Sequence, residues 1–305
     1  MIHIKLIIGR MLVKLRRYFF DRREEDMLFL LFFRVSVSLF LLIHFFSLGK
    51  DFNYFYSNDG LIPLRVQNVY NESFSLPKLL DYLYKEFDLN VEKVLLSFKV
   101  CYSFLCLALF FGFFSRLSSF FLIILHLLLV RGTPFYSYGV DYFSSIALFY
   151  CLIFPLDQYS SLRNLILKNN FSVNPTPFRR LLQLHLGIMY FFSGFGKLLG
   201  FNWWNGESIW KAIHLPYFNY NYAGSFDYLS KYPIIFVLLG WGTILIELLY
   251  PIFMNFKRTR LFWLLLVVSL HVGIAFILNL YFFSAIMIII NVAGFGNFRM
   301  ENQKP

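Results

Sequence analysis

The run 261–279, LFWLLLVVSLHVGIAFILN, and the run 281–296, YFFSAIMIIINVAGFG, contain no Lys, Arg, Asp or Glu. A helix crosses a hydrocarbon core with about 20 apolar residues. In that core every backbone N–H and C=O must be satisfied without water, which confines such runs to helices. The fold class therefore reads as all-α, a polytopic integral membrane protein of about eight transmembrane helices. The predicted spans are 27–48, 93–114, 117–131, 141–156, 179–199, 232–254, 261–279 and 281–296. Composition agrees: 58% of the 305 residues are hydrophobic, 41 are Phe, and 15% are charged, which is more apolar mass than a soluble core of this size needs. No internal repeat, low-complexity segment or second soluble domain interrupts the pattern.

The formal net charge is +11. A nucleic-acid binder gathers its Lys and Arg on one face or arm, whereas here the positive charge lies between apolar runs, the positive-inside pattern of a multi-pass protein. Nucleic acid is excluded as a partner on this ground. Residues 1–26 form their own segment: Lys5, Arg10, Lys14, Arg16 and Arg17 occupy one half of a helical wheel, while Ile4, Ile7, Ile8, Met11, Leu15 and Tyr18 occupy the other. Such a segment reads as an amphipathic helix lying on the membrane surface. A secretory signal fits less well, because charges recur through the run and no small-residue cleavage site follows. With this segment cytosolic, Arg116, then Arg163, Lys168, Arg179 and Arg180, then Lys257, Arg258 and Arg260, and finally Arg299 all fall on the inner side. The expected organisation is a cytosolic surface segment 1–26, a transmembrane domain 27–296 and a short cytosolic tail 297–305 in a cytoplasmic membrane. The outer side receives 49–92, with the turn signal NDGLIP and a short amphipathic helix in SLPKLLDYLYKEF, then 132–140, then 200–231, rich in Trp, Tyr and Asn.

Ionisable groups inside spans cost about 2.5–3.5 kcal/mol each on insertion scales, which makes each a functional candidate. Lys197 lies roughly 26 Å along the helix from Arg180, at the outer end of its span. Lys99 and Asp141 reach a similar level. Glu247, about 15 Å from Lys257, and His271, about 17 Å from Arg260, reach mid-depth, as Arg34 does from Arg23. Spacing thus predicts two layers: an intramembrane charge network of Arg34, Glu247 and His271, and an outer group of Lys197, Lys99 and Asp141. The middle layer also fits a charge-compensated tie between helices. His185 and His126 read as hydrogen-bonded core residues and His44 as interfacial. Gln183, Tyr190, Ser193 and Lys197 share one helical stripe, since seven residues are close to two turns. Lys197 fits either a stem that snorkels to the headgroups or a desolvated amine that serves as base or nucleophile. Cys101, Cys106 and Cys151 lie inside apolar runs and offer no metal-ligand spacing, so no metal is expected.

Several blocks in order resemble the vitamin K-dependent gamma-carboxylase-like membrane proteins, whose core is the horizontally transferred transmembrane domain. They are NDGLIP, GFFSRLSSF, YGVDYFSS, QLHLGIMYFFSGFGKLLGFNWWNG, ELLYP and SLHVGIAFILNLYFF. The resemblance covers about residues 27–296, and the fourth block is the most specific, with Tyr, Gly, Lys-Leu and Trp-x-x-Gly at fixed offsets. It implies that Lys197 matches the lysine that deprotonates vitamin K hydroquinone in the carboxylases. A quinol, vitamin K hydroquinone or menaquinol, would then enter from lipid beside Trp203 and Trp204. Tyr190, Ser193, Gln183, Asp141 and Lys99 complete the expected substrate-binding set. The expected activity is a lysine base acting on a quinol or similar lipid-soluble substrate at the outer face, with a peptide as the possible object of modification.

The chain departs from the carboxylases at three places. Gly196 stands where they have a further lysine. Tyr136, Ser137, Tyr138 and Asp141 stand near the start of the fourth span, where they use a histidine. The chain also shows no counterpart of their large lumenal substrate domain. These departures motivate a second expectation, a non-catalytic maturation or export factor for a secreted peptide, acting beside a small partner protein and resembling short bacterial members of the sporulation-delaying protein B type. A transporter fits less well, because no repeat or broken-helix pair is visible.

Overall fold

The computed structural model describes residues 2–23, 26, 28–49, 51–57, 61–70, 74–132, 136–158, 161–167, 173–215 and 223–298. Among these, all regular structure is helical and no strand occurs. The predicted turn at 58–60, Lys168 and Arg299 lie outside the described residues. Contacts divide the chain into two compact units, Leu30–Val173 and a unit that joins 1–29 to 174–305.

The chain opens with α1 (Ile2–Phe20). The unit Leu30–Val173 follows, with α2 (Phe29–Ser47), α3 (Asp51–Tyr56), α4 (Leu64–Tyr70), α5 (Leu76–Phe87), α6 (Val91–Phe111), α7 (Ser115–Gly132), α8 (Gly139–Ile153) and α9 (Leu162–Leu167). The amphipathic stretch at SLPKLLDYLYKEF is α5, which buries Leu76 and Leu80. α6 begins where Asn90 accepts hydrogen bonds from the amides of Glu92 and Lys93, a side-chain N-cap. It ends at Gly112, whose φ of 71° lies in the left-handed region. A Cβ on Gly112 would collide with the Arg34 guanidinium and sit 2.6 Å from Ser161 Cβ. The same residue thus supplies the turn and makes room for a buried arginine.

The second unit contains α1, α10 (Thr176–Leu198), α11 (Phe201–Trp204), α12 (Glu207–His214), α13 (Ile234–Leu248), α14 (Tyr250–Phe253), α15 (Lys257–Leu278) and α16 (Tyr281–Phe295). α15 and α16 form a helical hairpin whose bend is Asn279, at φ 53°, a conformation that Asn tolerates better than most side chains. Pro251 lacks the N–H that would bond the carbonyl four residues back, so the sixth predicted span divides: α13 stops at Leu248 and α14 restarts at Tyr250. The Trp263 indole of α15 donates to the Ile246 carbonyl at 3.1 Å, next to this break.

Among the described residues, four helices, α2, α6, α7 and α15, are long and apolar enough to cross a membrane; α8, α13 and α16 are shorter apolar helices. The chain is a candidate multi-pass membrane protein by helix length and hydropathy. α10 has 23 residues but belongs to neither group, because its polar stripe interrupts the apolar sequence.

Candidate functional site

α10 positions the central residue. At Gly194 it approaches α13 so closely that a Cβ would lie 2.6 Å from the Leu248 amide nitrogen and 3.0 Å from Glu247 Cβ. Small residues let helices meet at this distance in lipid. Three residues further along α10, Lys197 Nζ sits 2.5 Å from Glu247 Oε2, with side chains 20% and 9% exposed. The ammonium also donates to Ser193 Oγ at 2.7 Å and lies 5.3 Å from the centre of the Trp203 ring. Trp203 is half-buried; Trp204 is more exposed and donates its indole N–H to the Leu198 carbonyl. Glu247 is the last residue but one of α13, just before the proline break. The carboxylate therefore sits where a helix ends, beside an amine at the end of another.

A buried polar cluster lies one to two turns back along α10. Tyr190 Oη is 2.7 Å from His271 Nε2 and accepts from Asn291 Nδ2 at 2.8 Å. Tyr250 donates to Asn291 Oδ1 at 2.7 Å, and the Tyr190 and Tyr250 rings stack at 4.2 Å. With the amide donating into Tyr190 Oη, the tyrosine proton points at His271 Nε2, the tautomer that leaves a proton on Nδ1. Nδ1 has no partner among the described residues. Lys197 lies within electrostatic reach of His271, and Glu247 within reach of Tyr190. Asn291 and Tyr250 carry no role in the sequence reading, although an amide inside the run 281–296 is the signal that could have marked the first of them.

The remaining expected residues take other places. Gln183 lies roughly 21 Å along the helix from Lys197; its amide donates to the Gly294 carbonyl at 2.6 Å and its oxygen accepts from Arg180. Arg179 and Arg180, read from sequence as inner-side surface charges, are buried, 2% and 3% exposed. Arg179 pairs with Asp26 at 2.5 Å and donates to the Ala293 and Gly294 carbonyls, which ties α10 to the end of α16.

In the unit Leu30–Val173, Arg34 donates to the Leu156 carbonyl at 2.8 Å, within electrostatic reach of Asp157. Asp157 accepts from the Ser115 amide at the start of α7 and pairs with Arg163 at 2.9 Å, where its charge also favours the helix N-terminus. Lys99 donates to Asn53 at 2.9 Å and lies over the Phe52 ring. Asp141 caps α8 by accepting from the Tyr138 amide at 2.9 Å. These two outer-layer residues thus have separate partners. Asp141 and Tyr138 line a cavity of about 110 Å³ with His44, Tyr102 and His126. His126 is buried between Tyr102 Oη at 3.3 Å and the Asp141 carbonyl at 3.2 Å, a hydrogen-bonded core histidine. Burial, and then the charge of Asp141, push the Tyr138 phenol above its ordinary range. The three cysteines are free, and no group of three or more His, Cys, Asp or Glu among the described residues could hold a metal ion.

The Lys197 site offers one acid and one base in contact under partial cover, a combination suited to moving a proton. The cavity in the other unit offers two imidazoles and phenols, and its carboxylate, Asp141, caps α8 through Oδ2. No protein-family model matches the chain, and neither a curated protein nor a solved structure does.

Proposed function

We propose that this chain is a membrane-embedded proton-transfer enzyme similar to the vitamin K-dependent gamma-carboxylases, in which the Lys197 and Glu247 pair deprotonates a quinol. The observation that carries this reading is the 2.5 Å contact between the two charges at the end of α10, with Trp203 beside them. A dry surrounding strengthens each interaction inside it and favours a substrate that supplies its own dissociable proton.

The step balances within the pair. The quinol O–H breaks, its proton passes to a Glu247 carboxylate oxygen, and the negative charge left on the quinol oxygen faces the Lys197 ammonium. Lys197 then stabilises the oxyanion, while Glu247 receives the proton, so the role that the resemblance gives to one lysine is divided between two residues. Ser193 and Trp203 hold the ammonium in place. Glu247 lies within electrostatic reach of Tyr190, and so of the cluster that Tyr190 forms with His271 and Asn291. The proposal includes eight membrane crossings with both termini cytosolic, which would place this site at the outer face of a cytoplasmic membrane.

The test is anaerobic binding of menaquinol and vitamin K hydroquinone to the purified protein. Wild type should bind at least tenfold more tightly than Lys197→Met and Glu247→Gln, and admitting oxygen should give quinone epoxide and water only with wild type. Equal binding by all three proteins would remove the reading.

A second reading draws on the same contact. An amine already occupied by Glu247 and Ser193 is also a sound interhelical tie. On that reading the chain is a maturation factor for a secreted peptide and works with a small partner protein. A partner that co-purifies with wild type and with Lys197→Met alike, with no quinol bound to either, would favour it.

A further inference from the structure

At the other end of α10 from Lys197, α1, α10 and the start of α14 enclose a groove of about 410 Å³. One end is polar: Tyr18, Arg180 and Asn255 line it. The rest is apolar, running along α10 past Leu184 and Gly187 to Phe191. From Arg180 to Phe191 the helix rises about 16 Å, which is close to the depth of one leaflet of the hydrocarbon core, about 15 Å. Leu184 and Phe191 are themselves exposed, 51% and 39%.

Among the described residues, the cations at the polar end outnumber the carboxylates. Arg180 is 3% exposed; its Nη1 donates to Gln183 and Tyr18, and its Nε has no hydrogen-bond partner among the described residues. Its guanidinium stacks 4.3 Å from the centre of the Tyr18 ring, and the Arg23 guanidinium lies 5.5 Å from the same ring. Among the described residues, Arg23 and Arg260 lie within electrostatic reach of Arg180, and the carboxylate that shares this reach, Asp26, already pairs with Arg179. Tyr18 donates to Asn255 Oδ1 at 2.7 Å and so holds α1 over the groove mouth. A buried cation among further cations calls for an anion. The adjoining slot, one leaflet deep, calls for an alkyl chain.

We infer that this groove is a binding site for an anionic glycerophospholipid, its headgroup phosphate at Arg180 and one acyl chain along α10 over Gly187. The site is separate from the Lys197 and Glu247 pair and does not depend on the activity proposed for it. Gly187 is the floor: a Cβ there would meet Pro251 at 3.5 Å, ordinary contact, so a larger residue occupies the groove without separating the helices. Arg180 discriminates by charge, and the Gly187 floor admits the chain.

The experiment uses the full-length protein in detergent with three probes: phosphatidylglycerol, phosphatidylcholine and inorganic phosphate. Native mass spectrometry reads lipid retention and thermal unfolding reads the midpoint. Phosphatidylglycerol should stay bound at one molecule per chain and raise the midpoint by several degrees, while phosphatidylcholine is retained at least tenfold less. Arg180→Gln should abolish the preference between the two lipids, and Gly187→Leu should abolish retention of both while leaving the helical circular dichroism of wild type. If Arg180→Gln does not fold, the lipid comparison and Gly187→Leu decide the matter. Equal retention of the two lipids by wild type, or undiminished retention by Gly187→Leu, would overturn the inference. A midpoint rise of the same size with inorganic phosphate alone would show an anion site without a lipid and would overturn it equally.

Discussion

Gly194 of α10 lies against the backbone of Leu248, the last residue of α13, with room for no more than a hydrogen at the contact. That contact sets the separation of the helices that carry Lys197 and Glu247. Gly194→Ala must push the backbones apart and should cost about 1–3 kcal/mol. Gly196, two residues away, faces open space, so Gly196→Ala and even Gly196→Lys should fold normally. Thermal unfolding of the three variants in one detergent checks the contrast.

Deleting one partner of a largely buried ion pair leaves the other charge uncompensated, at a cost of about 3 kcal/mol. Lys197→Met and Glu247→Gln should each show a loss of this order, and the double variant should lose much less than the sum. A double-mutant cycle should return a coupling of at least about 1 kcal/mol. Additive losses would mean that the 2.5 Å contact contributes nothing.

Asn291 is fully buried and serves both tyrosines, accepting from Tyr250 and donating to Tyr190. Asn291→Leu takes the partner of the buried Tyr250 hydroxyl and one of the two partners of Tyr190, whose bond to His271 remains, and should destabilise the protein by about 2 kcal/mol, whereas Tyr250→Phe, which removes a single donor, should cost about 1 kcal/mol. Denaturant unfolding that places the two variants in the reverse order would contradict the network.

Gly112 combines a left-handed φ with a wall formed by Arg34 and Ser161. Gly112→Ala therefore carries both a backbone penalty and an overpacking penalty, about 2 kcal/mol or more together. Hydrogen exchange should report the loss in α2 and α6. Little change is expected in α15 and α16, which belong to the other compact unit.

The helices were legible because apolar runs and their polar ends are local features: α15 and α16 fall within a few residues of the predicted 261–279 and 281–296. Lys197 was marked in the sequence as a charge at the end of a polar stripe. Its partner was not. Counting 1.5 Å per residue from Lys257 to Glu247 assumes an unbroken helix, and Pro251 breaks it; counting from Arg180 assumes that Arg180 marks a surface, and it is buried. Both assumptions moved Glu247 and Lys197 into different layers, whereas the fold brings them together. The proline was visible in ELLYP, but its consequence for depth depended on which helix packed beside it. Arg34 shows the same limit, since its carbonyl partner at Leu156 is more than a hundred residues away in sequence and no periodicity announces it.

The unit built around α10 is discontinuous in the chain. Asn174 donates to the Phe20 carbonyl, the Arg23 amide to Thr176, and Arg179 holds Asp26, so a segment before Leu30–Val173 is secured by one that follows it. Between them lies the whole of Leu30–Val173. At 5–20 residues per second the ribosome needs about 7–30 s to make that stretch. For that time α1 has a basic face and an apolar face but not α10, against which it packs. A helix with such faces is of the kind that suits a headgroup surface, and the order of synthesis leaves α1 without α10 until α10 has been made.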